Sequence, residues 1–245
     1  MRMGKIVLCC FIVVLLICVI PGAAYAVELK GIPDNGDKPT MIVEFGKGKD
    51  AGLVKVTHIH YAKSIDKARP PKTDTCYKLL GYKWGGEIQY SIQESDFQEF
   101  SSTIVSSAYT WDHETAQKLF SDTFPQVSGK TWGQRDSVNL VTFGDYSTEG
   151  VIAVTSTWYT LGRTKWAVES DILFDTDFTW DPTVENPYMD LQNIATHEIG
   201  HTLGLGDLYT DSCKDVTMYG YSYEGDTAKI TLENADITGL LKLYP

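Results

Sequence analysis

The sequence lacks the motifs of several common enzyme classes. It contains no glycine-rich phosphate-binding loop, no G-x-S-x-G pentapeptide and no internal repeat. Nucleotide chemistry and serine hydrolase chemistry therefore have no support in this chain. Histidine and cysteine are also scarce, with five of each among 245 residues. Because so few side chains can bind a transition metal, any close grouping of them is informative.

Long apolar runs are missing too, apart from one short run near the N-terminus. Arg2 and Lys5 precede an apolar stretch over residues 6–20, and the small-residue pattern "AYA" ends at Ala26. These features predict a secretory signal peptide over residues 1–26 and an extracellular protein. The alternative, an uncleaved membrane anchor, is disfavoured because the stretch is about 15 residues long and roughly 20 are needed to span a bilayer.

Positive charge is in short supply, which limits the partners of the protein. The chain carries a net charge of −11, and the predicted signal peptide takes away two basic and no acidic residues, leaving −13. Such an acidic surface repels nucleic acid and anionic lipid. We expect no nucleic-acid partner, no stable membrane association after signal cleavage, and a monomer. The two cysteines beyond residue 26, Cys76 and Cys213, most simply form a disulfide in an oxidising compartment.

Residues 27–75 are predicted to form an N-terminal extension or a short pro-segment. The run "GLVKVTHIHYAK" alternates with a period of two and predicts a strand, with His58 and His60 on one face. A second metal site there is conceivable, but nothing nearby in the sequence supplies more ligands, so an ordinary strand face is the favoured interpretation. The linker-like stretch at 67–75 marks a domain boundary, and residues 76–245 form the main domain.

The stretch "HEIGHTLGLGD" organises this domain. A helix turns by about 100° per residue, so His197 and His201, four residues apart, offer two imidazoles to one tetrahedral zinc ion. Glu198 lies further round the helix, in the position of a general base. Gly204 can adopt the left-handed conformation that ends a helix and turns the chain back. Asp207 is then a candidate third ligand.

The rest of the domain predicts a helix packed on a mixed sheet, an α/β arrangement. Ser95 or Asp96 can cap a long helix whose apolar residues recur every three or four positions, and Asp190 can cap the metal-binding helix. Strand-like runs occur at 85–93, around Lys118, and at 137–144, 151–160 and 169–180. An acidic run lies within and just after the last of these stretches, and a calcium site is an alternative to a solvated acidic loop; its members are Asp171, Asp175, Asp177, Asp181 and Glu185.

The metal motif, together with "VTMYGY", resembles the metzincin zinc endopeptidases, and the order of elements over residues 76–245 resembles their matrixin branch. The resemblance implies a zincin fold, here a twisted mixed sheet with a long packing helix, an active-site helix and a C-terminal helix. It places Met218 in a methionine turn beneath zinc. Tyr219 and Tyr221 would then line a substrate pocket or simply pack.

The chain departs from the matrixin pattern at three places. Asp207 stands where matrixins have a third histidine, although a minority of metzincins carry aspartate there. Matrixins bind calcium through the aspartate of "FD" and an acidic residue three positions on, but Phe178 follows Asp175 at that distance. The third departure is Cys76, which lacks the Pro-Arg-Cys-Gly context of a latency thiol. A disulfide with Cys213 is preferred to a thiol switch.

The function these observations favour is a zinc-dependent endopeptidase acting on protein or peptide substrates, with Glu198 as the general base. Two alternatives stay open. One is a secreted metal-binding or recognition module that uses a tyrosine-rich loop, formed by Tyr209, Tyr219, Tyr221 and Tyr223, as its binding surface. The other is a zinc hydrolase with a non-peptide substrate.

Overall fold

The computed structural model describes residues 26–27, 40–62, 75–182 and 188–245. Residues 1–25 of the predicted signal peptide, nearly all of the predicted linker and Glu185 lie outside these ranges. Within the described ranges, no helix is both long and apolar enough to cross a membrane.

The described chain folds into a ten-stranded mixed sheet with three α-helices. This confirms the predicted α/β zincin-like architecture. The helices are α1 (Glu94–Asp112), α2 (Leu191–Leu203) and α3 (Asn234–Leu243). The strands are β1 (Ala26–Val27), β2 (Met41–Phe45), β3 (Leu53–Ala62), β4 (Tyr82–Lys83), β5 (Tyr90–Gln93), β6 (Gln126–Val127), β7 (Asn139–Gly144), β8 (Val151–Thr160), β9 (Lys165–Asp175), β10 (Trp180–Asp181), β11 (Met189–Asp190) and β12 (Tyr221–Ser222).

The main strand order is β1-β2-β3-β8-β9-β7-β5-β6, while β12 pairs with β3, β4 pairs with β9, and β10 and β11 form a separate pair. Strands β9, β7, β5 and β6 are parallel, and β8 is antiparallel to β9. The parallel strands need crossover connections, and α1 supplies the longest of them. The core lies between this sheet and helices α1 and α2.

Helix α1 begins one or two residues before the predicted caps. No side chain caps its N-terminus. The Asp96 carboxylate instead accepts hydrogen bonds from the backbone N–H of Phe143 at 3.1 Å and the hydroxyl of Thr142 at 3.2 Å. This carboxylate therefore ties the start of α1 to strand β7. At the other end, the Trp111 indole donates to the Thr196 carbonyl at 2.8 Å and holds α1 against α2.

Two strand predictions need correction. The run around Lys118 forms no strand, and Phe120 makes only an isolated bridge with Ile88. The run predicted at 169–180 ends as a strand at Asp175, because its carboxylate accepts a hydrogen bond from the Asp177 N–H at 2.9 Å and turns the chain.

The N-terminal extension adds strands β2 and β3 to the sheet of the main domain. Strand β3 runs antiparallel to β8 from Leu53, opposite Thr160, to Tyr61, opposite Val151. Its other side pairs with β2 and, at its end, in parallel with β12. The domain boundary near residue 75 stays a prediction, but β3 lies inside the continuous sheet.

Candidate metal centre

Helix α2 carries the metal motif and has the predicted ends. Asp190 caps it by accepting a hydrogen bond from the Asn193 N–H at 2.6 Å. Gly204 ends it with a φ of 102°, a left-handed conformation that strains any residue with a Cβ. All its residues except Gln192 are buried. Strand β3 covers its ligand face, since the rings of His58 and His60 contact those of His201 and His197.

Three side chains converge where the sequence predicted a zinc site. The Nε2 atoms of His197 and His201 lie 3.2 and 3.3 Å from Oδ1 of Asp207. A tetrahedral zinc ion with bonds of about 2.0–2.1 Å separates its ligand atoms by about 3.3–3.4 Å. Nε2 of His197 and Oδ1 of Asp207 are buried and have no hydrogen-bond partner among the described residues. The two distances to Asp207 and the donor atoms of the three side chains therefore fit a zinc ion.

The outer nitrogens of the two histidines fix their orientation. Nδ1 of His197 donates to the Thr217 carbonyl at 2.8 Å, and Nδ1 of His201 donates to the Leu205 carbonyl at 2.9 Å. A carbonyl can only accept, so both Nδ1 atoms carry the proton and both Nε2 atoms keep a lone pair for a metal. The rings are held in the ligand tautomer before any ion binds.

The surroundings of the three predicted ligands shift the pKa values of His197 and Asp207. Burial lowers the pKa of His197 to about 3, and the nearby Lys229 ammonium acts in the same direction. Burial alone would raise the pKa of Asp207, but its interactions with the surrounding histidines, His201 first among them, hold it well below its usual range. Asp207 is therefore an anion, which is the form that binds a metal.

Glu198 lies beside these ligands and is fully buried. Its Oε2 accepts a hydrogen bond from the Thr155 hydroxyl at 2.6 Å, and its Oε1 lies 3.1 Å from Nδ1 of His60. Burial raises the pKa of the Glu198 carboxyl to about 7. A carboxyl group with such a pKa can both take and release a proton near neutral pH.

Met218 packs directly against α2. It is buried, and its sulfur lies so close to Gly200 that a Cβ at that position would collide with it and with the Trp111 ring. The Met218 N–H donates to Oδ1 of Asp236 at 3.2 Å, which anchors the turn to α3. The methionine turn therefore supports the helix one residue before His201.

His58 and His60 reach the same centre, and this the sequence did not reveal. The His58 ring stacks on His201 with centroids 4.1 Å apart, and the His60 ring lies 4.2 Å from His197. The expectation that no further ligands lie near them needs correction, because the fold brings His201 and Asp207 beside His58, and His197 and Glu198 beside His60, in groups that could hold a metal ion. The only sequence signal was the placement of two of five histidines two residues apart.

The two cysteines form the predicted disulfide, with an S–S distance of 2.04 Å. The alternative of a free latency thiol at Cys76 is therefore wrong. Tyr219 packs in the small apolar cluster around Cys213, and Tyr221 lies in β12 beside the end of β3. Rings of Tyr209 and Tyr219 both contact Tyr221. Their role as a substrate pocket stays a prediction.

The acidic run has been split up by the fold. Asp171 is buried and accepts backbone hydrogen bonds from Gly133 and Leu140, so it is not part of a solvated loop. Asp175 and Asp177 come together with Asp145, which the sequence analysis did not single out. Carboxylates suit calcium, but a calcium ion there stays a prediction.

Two buried polar residues near the candidate metal centre were not predicted from the sequence. Thr155, on β8, holds Glu198, as described above. Nζ of Lys229 donates to the Tyr221 carbonyl at 2.9 Å and to the Ser222 hydroxyl at 2.6 Å, and burial lowers its pKa to about 8. Neither residue belongs to a recognisable motif, so only the folded chain reveals them.

Comparison with known proteins adds an independent line of support. Residues 83–245 match the profile of the matrixin peptidase family. The chain is similar to a metalloendoproteinase named 1-MMP from Arabidopsis thaliana, with 46% identity over 56 residues, which is 23% of this chain and 14% of that protein. It is also similar to a hatching enzyme from Paracentrotus lividus, with 36% identity over 74 residues, 30% of this chain and 12% of that protein.

The identity to these relatives is confined to short stretches, which span between 12% and 15% of the lengths of the curated relatives. The family match is much longer. It covers about two thirds of the chain, from Lys83 at the end of β4 to Pro245, and it includes the metal motif and Met218. Sequence, fold and site therefore agree, and the chain belongs to the matrixin family.

Proposed function

We propose that this protein is a zinc endopeptidase whose ion is held by His197, His201 and Asp207. The observation that carries the proposal is the arrangement of three ligand atoms with edges of 3.2 and 3.3 Å directly beside a buried glutamate. Membership of the matrixin family implies zinc as the metal. When bound, zinc would supply Lewis-acid activation of water and of the scissile carbonyl group.

Glu198 is the proposed general base. Its carboxylate takes a proton from the attacking water and delivers it to the leaving amine as the peptide bond breaks. The hydroxyl of Thr155 fixes Oε2 at 2.6 Å, so Oε1 is the oxygen left to exchange the proton. Nδ1 of His60 now lies 3.1 Å from that oxygen.

Asp207 gives this centre a different charge from one with three histidines. One anionic ligand reduces the net charge of a zinc site to about +1, which makes the metal a somewhat weaker Lewis acid. The carboxylate also attracts the cation strongly, because both are buried and poorly screened by solvent. We infer that Asp207 makes the bound ion a weaker Lewis acid than a third histidine would, and that it holds the ion more tightly.

Digestion of an unstructured protein tests the peptidase proposal. We expect the zinc-loaded chain to cleave internal peptide bonds of denatured casein, and a zinc chelator to stop the cleavage. Fragments are identified by mass spectrometry, which also detects slow turnover. Intact casein after long incubation, with zinc bound throughout, would instead favour the recognition-module or non-peptide-hydrolase alternatives.

We also propose that the protein is secreted. The disulfide between Cys76 and Cys213 suits an oxidising compartment, and the N-terminal sequence has the pattern of a signal peptide. N-terminal sequencing of protein recovered from the medium should give "VELKG", the sequence that follows Ala26. A start at Met1 would contradict cleavage, and a start near residue 76 would show that the extension is removed as well.

A further inference from the structure

The proposed catalytic group is closed off in this structure. His197 and Glu198 have no exposed surface, His201 is 1% exposed and Asp207 is 7% exposed. The scissile bond of a peptide substrate must lie next to the water that the base activates, so the substrate has to enter this centre. The described chain leaves no path for it, because β3 lies over the ligand face of α2.

Strand β3 fills the position that an extended peptide would need. It is antiparallel to β8 over nearly its whole length and parallel to β12 at Tyr61 and Ala62. It therefore uses the backbone groups of β8 that could otherwise bind an incoming strand. Thr57, on the opposite face from the histidines, adds a side-chain hydrogen bond to Ser156 at 2.8 Å.

The side chains of β3 aim at the metal centre. Both nitrogens of His58 and Nε2 of His60 are buried without a hydrogen-bond partner among the described residues. Leaving buried polar atoms unpaired is unfavourable, so a ligand is expected for them. Nδ1 of His58 lies 3.6 Å from Oδ2 of Asp207, and the ligand atoms of His58, His201 and Asp207 lie within 4.8 Å of one another.

His60 faces the base rather than the third ligand. Its Nδ1 lies 3.1 Å from Oε1 of Glu198, the oxygen that is free of Thr155. A hydrogen bond from His60 at this oxygen takes one of its lone pairs and competes there with the attacking water. Of the two histidines of β3, His58 therefore lies beside the metal ligands and His60 beside the base.

We propose that β3 is a built-in inhibitory strand in which His58 is an additional metal ligand and His60 blocks Glu198. With His58, the zinc site has four protein ligands and resembles a closed structural site, whereas a catalytic site keeps one position open. Displacement of β3 removes His58 from the fourth ligand position and His60 from Glu198. It also exposes the backbone edge of β8. This inference rests on the proposed peptidase function, and the experiment below separates the two.

The test compares the full chain with variants of β3, loaded with Co²⁺ or Zn²⁺. We expect His58→Ala to change the visible absorption of the Co²⁺ protein and to weaken Zn²⁺ binding about tenfold or more. The double variant His58→Ala/His60→Ala should hydrolyse denatured casein about tenfold faster than wild type or better, because a larger fraction of molecules is competent. A variant that is only destabilised would lose both zinc affinity and activity. Weaker zinc binding together with faster hydrolysis therefore indicates relief of inhibition.

Two matched controls accompany these variants. Thr57→Val changes β3 at the residue directly before His58 without removing a nitrogen, so the Co²⁺ spectrum and Zn²⁺ affinity should stay as in wild type. His113→Ala removes the one histidine outside the site, which is exposed, and should leave affinity and hydrolysis unchanged. His58→Gln, which keeps the volume and a polar end, replaces His58→Ala if circular dichroism shows that the alanine variant is unfolded.

The outcomes separate the two proposals. An unchanged Co²⁺ spectrum and unchanged Zn²⁺ affinity in folded His58 variants would overturn the role of His58 as a ligand. Slower hydrolysis by the double variant than by wild type would overturn the inhibitory role of β3. If the spectrum changes but no variant cleaves casein, the peptidase proposal fails while the metal ligation by His58 is supported.

Discussion

Glu198→Gln should lower kcat for peptide hydrolysis by about 10²–10⁴-fold, the usual contribution of a general acid–base group. The substitution keeps the shape of the side chain and an oxygen for the Thr155 hydroxyl, but the amide cannot take a proton from water. We expect zinc content to stay at wild-type level, since Glu198 is not one of the proposed ligands. The rate is best measured with denatured casein under saturating conditions.

The same substitution should be made in the His58→Ala/His60→Ala chain, in which the inhibitory contacts are absent. There the fall in kcat should be easier to measure, because the background rate is higher. Glu169→Gln is a suitable control, since Glu169 is also buried but accepts its hydrogen bonds from the loop at Asp136 and Ser137. Turnover retained by Glu198→Gln in both backgrounds would remove Glu198 from the role of base.

Asp207→Ala should weaken zinc binding at least about tenfold, because the ion loses its only anionic ligand and its charge is left less well compensated in a buried site. Competition with a chelator of known affinity at fixed pH measures the change. His58, the additional ligand proposed above, would still hold the ion beside the two other histidines, so the full loss is expected in the Asp207→Ala/His58→Ala chain.

Asp207→His is the matched variant, since a neutral imidazole replaces the carboxylate and gives the three-histidine set of other matrixins. It should bind zinc more tightly than Asp207→Ala if the geometry of the ligand is what matters. Wild-type affinity in Asp207→Ala would point to water or to Asp211 as the third ligand. Asp211 lies in the short helical turn after the metal motif, outside the group of ligand atoms that meet at the centre.

Features set by local spacing were predictable from the sequence. The four-residue separation of His197 and His201 places both rings on one side of any helix, whatever the rest of the chain does. The caps at Asp190 and Gly204 follow equally from local backbone chemistry. Asp207 followed from the turn that a glycine permits three residues earlier. The metal centre could be assembled from one continuous stretch for these reasons.

The position of β3 could not be predicted in the same way. Its alternating pattern predicts a strand, but the partner β8 begins almost a hundred residues later, and pattern alone does not select a partner at that distance. The carboxylate of Asp96 shows the same limit on a smaller scale. It has the chemistry of a helix cap, yet it binds the backbone of β7, because tertiary contacts outweigh a local preference.

The pairing of β8 with β3 also bears on how this protein stays soluble. Strand β8, "VIAVTSTWYT", is ten residues long, rich in β-branched and aromatic side chains, and free of charge and proline. Such a strand, left unpaired at the edge of a sheet, is a template for aggregation with other chains. An activated molecule that has lost β3 would therefore be prone to self-association until a substrate covers the edge. We therefore expect the least aggregation on activation where substrate is already abundant.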